Sequence, residues 1–164
     1  MASTYEPIAT TTLGTAAATI TFSSISSAFT DLRLVLSIPS TASAGSSIHF
    51  RLNGDSTNNY SLTRLYGDGT SAVSNRVTAT SEWGTAISTS TTLPVMLTMD
   101  LMSYTNAKAK TALITTSTDA NGSGRVQRIA GMYDTLSAIT SLTITCGSNM
   151  AIGTTATLYG ILKA

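Results

Sequence analysis

The chain has 164 residues, 10% charged and 42% hydrophobic, with nine Lys and Arg against eight Asp and Glu for a net charge of +1. That charged fraction is less than half of the roughly 25% of an average soluble domain. The basic residues are scattered from Arg33 to Lys163, which leaves no electrostatic track for nucleic acid. One cysteine excludes an intrachain disulfide, one histidine and one cysteine do not make a tetrahedral zinc set, and no apolar run approaches the ~20 residues of a membrane span.

Apolar and hydroxyl residues alternate from end to end, as in Thr19-Ile20-Thr21-Phe22, Leu32-Arg33-Leu34-Val35-Leu36 and Leu142-Thr143-Ile144-Thr145-Cys146. Period two means strands with one dry and one wet face, and threonine supplies a β-branched polar half without charge. In chain order, strands are expected over Pro7–Thr12 and Ala17–Phe22, split by a turn at Leu13-Gly14. Next comes a run with Leu32, Leu34, Leu36 and Ile38 on one face, ended by Pro39 and a Ser, Ala and Gly loop over Ser40–Ser47. Ile48, Phe50 and Leu52 resume the pattern. Asn53-Gly54-Asp55 is a turn signal, because Asn and Gly tolerate positive φ. Tyr60–Tyr66 reads as a short strand ending at Gly67-Asp68-Gly69, and Val73–Trp83 as one further strand before a Ser/Thr-rich connection.

Val95, Leu97, Met99 and Leu101 alternate with Met96, Thr98, Asp100 and Met102, so both faces of that strand are partly apolar. Such a strand is central in its sheet or covered on its outer side by a neighbouring subunit, which makes Met96 and Met102 interface candidates. Lys108–Ser117, Val126–Tyr133, Ser141–Cys146 and Ala156–Leu162 complete the set, with Asp119–Gly124 as a hairpin tip. About nine or ten strands at this spacing predict an all-β antiparallel sandwich of two packed sheets. The best helical window, Tyr133–Ile139, is too short to hold a helix on its own. One domain over residues 1–164 is expected, with residues 1–8 as an N-terminal arm in which Tyr5 contacts a neighbouring chain. The opening lacks the basic and apolar regions of a secretory signal, so cytoplasmic synthesis is expected.

Groups for chemistry are few. His49 is the one imidazole, set beside Arg51, with no Gly-x-Ser-x-Gly elbow and no evident orienting partner. Cys146 lies in an alternating apolar run and reads as a buried small hydrophobe. Asp55 and Asp68 sit beside glycines as turn formers, Glu82 is near Trp83, and no spacing sets two carboxyls across a cleft or builds a calcium loop. No catalytic residue, metal or cofactor is expected. Tyr60, Tyr66 and Trp83 fall in or beside polar loops and are contact candidates, for stacking on sugar or anchoring a protein, against the plainer role of capping the core.

Three stretches carry a resemblance: Ala2-Ser3-Thr4-Tyr5-Glu6-Pro7-Ile8-Ala9-Thr10-Thr11-Thr12-Leu13-Gly14, then Phe50-Arg51-Leu52-Asn53-Gly54-Asp55 running into Asn58-Asn59-Tyr60-Ser61, and Thr157-Leu158-Tyr159-Gly160-Ile161. The chain resembles small structural proteins of tailed bacteriophages. The resemblance implies a virion component with a jelly-roll-like sandwich, displayed on the particle surface, and transfers no catalytic residue. Two virion roles compete. A capsid decoration, or cement, protein bridges neighbouring major capsid subunits as a homo-oligomer, a trimer before a dimer. A tail-fibre or receptor-binding protein contacts host glycans. The chain shows neither coiled coil nor repeating shaft, which favours decoration, and a carbohydrate-active enzyme on the same scaffold lacks residue support.

Overall fold

The computed structural model describes residues 4–87 and 89–162. They form twelve strands and, among the described residues, no helix: β1 (Tyr5–Thr12), β2 (Ala17–Phe22), β3 (Asp31–Ile38), β4 (Ile48–Leu52), β5 (Tyr60–Gly67), β6 (Ala72–Thr80), β7 (Trp83–Gly84), β8 (Val95–Met102), β9 (Lys110–Asp119), β10 (Gly124–Tyr133), β11 (Leu142–Met150) and β12 (Thr155–Ile161). One sheet has eight strands in the order β1-β12-β3-β8-β9-β10-β5-β6, the other four in the order β2-β11-β4-β7, and every pairing is antiparallel. The predicted two-sheet sandwich is the observed fold.

Its topology is that of a jelly roll with two insertions. β1 pairs β12, β2 pairs β11, β3 pairs β8 and β4 pairs β7, so four pairs nest inside one another and alternate between the sheets. β12 then joins β3 and β11 joins β4, which closes two four-stranded layers. The hairpin β5–β6 is inserted between β4 and β7, and β9–β10 between β8 and β11. β10 pairs β5, so both inserts extend the same layer and double its width.

The core lies between the layers, where Leu34, Leu36 and Ile38 of β3 face Ile48, Phe50 and Leu52 of β4, all fully buried. Strict alternation on β3 and β8 follows from this: every second side chain enters the core, and a one-residue slip would expose the set. Trp83 is the largest fully buried side chain. It lies over Gly131, where a Cβ would sit 2.8 Å from the indole, and only a glycine lets the two layers close there.

Several expectations are corrected. The strand over Val73–Trp83 is two elements, because the chain leaves the large layer after Thr80 and enters the small one at Trp83. Just before the chain crosses, β6 carries a bulge with Ala79 at φ 52°, where the register of β5 on β6 shifts. The window Tyr133–Ile139 agrees with the expectation that it is too short for a helix, being the end of β10 and a loop. The arm over residues 1–8 is not free from Tyr5 onward, because Tyr5, Glu6 and Pro7 pair Ile161, Gly160 and Tyr159 as the edge of the large layer. Residues 1–3 of that arm lie outside the described residues.

Candidate interaction face

The outer face of the large layer is built by register. Because Val95, Leu97, Met99 and Leu101 point inward on β8, Met96, Thr98, Asp100 and Met102 point outward. Pairing aligns Met96, Ser117, Val126 and Gly67 in one row across β8, β9, β10 and β5, and Met102, Thr111, Met132 and Ser61 in another. Between them run Thr98, Thr115, Arg128 and Leu65, and Asp100, Leu113, Ala130 and Thr63. Met96 is 57% exposed, Met102 52%, Leu65 57%, Val126 64% and Met132 42%. Most of the large apolar side chains that stand in solvent among the described residues are therefore on one sheet face. Both methionine candidates from the sequence belong to it; Leu65, Val126 and Met132 do not follow from the sequence pattern.

The charges on this face fall into two sets. Arg33 Nε lies 3.1 Å from Asp100 Oδ1, and Arg33 Nη1 donates to the Tyr5 hydroxyl at 3.2 Å. Tyr5 is 46% exposed, so this candidate stands at the β1 edge of the face. Farther across, Arg128 and Arg76 are exposed. Arg76 Nε donates to Thr63 Oγ1 at 3.3 Å, and among the described residues neither arginine has a carboxylate within ion-pair distance.

The loop aromatics separate. Tyr60 and Trp83 are buried in the core, so neither stacks on sugar. The Tyr60 hydroxyl accepts from Leu52 N at 2.9 Å and donates to Leu52 O at 3.1 Å, while its ring stacks on Tyr133 at 4.5 Å and meets Trp83 edge-on at 5.6 Å. Trp83 Nε1 donates to Ser61 O and Met132 O, both at 3.1 Å. Burial pushes the Tyr60 hydroxyl up to about 12. Tyr66 remains partly exposed, its ring covered by the Arg125 guanidinium at 4.3 Å. Arg125 also donates to Ala86 O, so the pair tacks a loop onto the inner side of the inserts rather than offering a free stacking platform.

The carboxylates are turn formers. Asp55 accepts from Thr57 N at 2.8 Å, Thr57 Oγ1 at 2.6 Å, Asn59 Nδ2 at 2.9 Å and the Tyr133 hydroxyl at 2.9 Å. Donors on Thr57, then Asn59, hold its carboxyl far below the usual range. Asp68 likewise takes Thr70 and Ser71 at the β5–β6 tip. With their lone pairs engaged, neither is placed as a proton carrier.

Glu82 bridges two basic groups on the outer side of the small layer, with Oε1 3.0 Å from His49 Nδ1 and Oε2 accepting from Arg51 at 2.9 Å. His49 does point outward beside Arg51, and the partner that sequence did not reveal is Glu82. Nδ1 is not aligned on the carboxylate as a hydrogen bond. Gly84 lets the ring lie flat there, since a Cβ would come 3.1 Å from Nδ1. Cys146 is 6% exposed and part of the core. Among the described residues no three His, Cys, Asp or Glu converge as metal ligands. A groove of about 690 Å³ runs between the tips of β5–β6 and β9–β10, lined by Asp68, Thr70, Met96, Asp119, Ser123 and Val126, and opens onto the apolar face.

No family model, curated protein or solved structure matches this chain.

Proposed function

We propose that this protein is a structural component of a tailed-bacteriophage particle, a capsid decoration protein that stabilises the shell by bridging major capsid subunits. The observation that carries the reading is the wide outer face of the large layer, where Met96, Met102, Met132, Val126 and Leu65 stand in solvent. A monomer that kept this face wet would expose five large apolar side chains on one side of one sheet, a concentration of the kind that marks protein contacts. The jelly roll and the phage-like stretches at both ends and around Asn53 support the same reading, since shell and lectin domains share this architecture. Each copy adds weak contacts, and symmetry multiplies them: binding to the assembled lattice in preference to free subunits stabilises the lattice by mass action.

The test is location and loss. Mass spectrometry of separated heads and tails should find the protein with heads, and particles assembled without it should release genome at a lower temperature. Met96→Asp should lower occupancy on particles while the circular dichroism spectrum stays that of a β protein. Particles that lack the protein, keep their heat stability and no longer adsorb to host cells would replace the cement role with receptor binding.

A further inference from the structure

We infer that Asn121 is a site of spontaneous covalent modification, converting to aspartate and isoaspartate through its step with Gly122, while the fold holds Asn53 unreactive in the chemically identical step with Gly54. The chain has two Asn-Gly steps, and both asparagines sit in turns with positive φ, 53° at Asn53 and 49° at Asn121. Glycine matters here chemically as well as conformationally, because without a Cβ its amide nitrogen is open to close approach by the preceding side chain.

The two sites differ in anchoring. Asn53 Nδ2 donates to Ala138 O at 2.8 Å, and Asn53 Oδ1 accepts from Thr140 N at 2.8 Å, Ser141 N at 3.2 Å and Thr140 Oγ1 at 3.4 Å. Its backbone N donates to Ser141 O at 3.0 Å. The side chain therefore ties the turn after β4 to the segment that enters β11, and Cγ cannot swing toward Gly54 N without releasing these bonds together. Asn121 is exposed at the β9–β10 tip, and among the described residues neither its side-chain amide nor Gly122 N makes a hydrogen bond. Its backbone N donates to Asp119 Oδ1 at 2.9 Å, and one bond from Ala120 N to Ser123 O at 2.7 Å closes the loop. The space around Gly122 is open, since a Cβ there would meet nothing within 4 Å.

In the reaction Gly122 N gives its proton to solvent base and attacks Asn121 Cγ. The N–Cγ bond forms, the Cγ–Nδ2 bond breaks, and Nδ2 takes up a proton and leaves as ammonia. Water then opens the cyclic imide at either carbonyl, giving aspartate or an isoaspartate whose main chain runs through Cβ and Cγ. Either product sets a new carboxylate at the lip of the groove that Gly122 and Asp119 line together with Asp68. Isoaspartate also lengthens the backbone of the turn that joins β9 to β10.

The experiment incubates the purified full-length protein at mildly alkaline pH, folded and in urea, and follows its tryptic peptides by mass spectrometry. Cleavage after Lys110 and Arg125 yields the peptide with Asn121, and cleavage after Arg51 and Arg64 the one with Asn53, which fragmentation separates from Asn58 and Asn59. In the folded protein Asn121 should convert about ten-fold or more faster than Asn53, because an exposed tip opens more readily than an anchored turn, and in urea the two rates should converge. An isoaspartate-specific carboxyl methyltransferase should label the Asn121 peptide of aged folded protein and not the Asn53 peptide. Equal rates at the two sites in the folded protein would overturn the assignment, as would conversion of Asn121 in urea alone. A ratio that persists in urea would overturn it too, by placing the difference in the flanking sequence instead of the fold.

Discussion

Replacing Asp55 with alanine tests whether the carboxylate beside Gly54 is a structural lock or a ligand-binding group. In the structure it receives four hydrogen bonds, three from the Thr57–Asn59 loop and one from the Tyr133 hydroxyl, whose ring stacks on Tyr60. The three loop bonds are exposed and should contribute little each, but removing the acceptor leaves the partly buried Tyr133 hydroxyl unsatisfied, a cost of about 1–3 kcal/mol. A total near 3 kcal/mol would lower Tm by roughly 6–12 °C for a chain of this length. Urea unfolding followed by circular dichroism measures it. Tyr133→Phe supplies the check: it should be destabilising in wild type and nearly neutral in the Asp55→Ala background, where its hydroxyl has already lost its acceptor, giving a coupling of ~1 kcal/mol or more. The sign with pH is fixed by the depressed carboxyl: the wild-type advantage over Asp55→Ala is fully present above the ordinary value of 3.8 and is lost as pH falls below it. Calcium should move neither midpoint. Additive effects of the two substitutions, or a calcium-dependent rise in wild type alone, would refute the lock.

Three further outcomes follow from the core. Gly131→Ala places a Cβ 2.8 Å from the buried Trp83 indole and should cost about 1–3 kcal/mol by urea titration, whereas Gly147→Ala, with its nearest neighbour at 3.5 Å, should cost much less; equal losses would contradict the packing. Burial raises the Tyr60 hydroxyl from 10.0 to about 12, so its contribution is full below pH 10 and is lost as pH rises through that window, by roughly 3 kcal/mol. Lys110, whose ammonium burial pushes down, works in the opposite direction, so the assay is the difference between wild type and Tyr60→Phe, which should narrow with rising pH. Cys146 should react with a thiol reagent at full rate only in denaturant, and immediate labelling of the native protein would contradict its place in the core.

The strands of the jelly roll itself were legible because their alternation is simple. On β3 and β8 every second residue is a large aliphatic side chain and the core is on one side only, so period two states both the element and its inner face. Pairing was not legible, because a strand pattern says nothing of its neighbour: that β5 lies on β10, and that Glu82 reaches His49, depends on where the inserts cross between layers. Polar residues flank Tyr60 and Trp83 in the sequence, which leaves both a contact role and core capping open, and burial decides for the core.

The inserts misled for a deeper reason, which bears on function: at several positions their polarity departs from the dry-in, wet-out pattern that Leu62, Ile114 and Ile129 still follow. On β10 Gln127 is buried and accepts from Ala86 N at 3.0 Å, while its neighbour Val126 is 64% exposed. On β9 Lys110 and Thr116 are buried, held by loop and strand carbonyls, and on β5 Leu65 faces solvent while Arg64 turns to the inner side and bonds Asn75. Sequences that violate the dry-in, wet-out rule locally usually do so where something besides folding constrains them. Folding of the jelly roll requires no apolar side chain at Leu65, Val126 or Met132, so the triple change to threonine should leave stability within about 1 kcal/mol, because exposed strand positions accept β-branched polar residues readily. Particle binding should fall in the same variant. A loss of stability on the scale of a core truncation, about 3 kcal/mol or more, would mean that these side chains support the fold from outside, and the apolar face would then no longer argue for a partner.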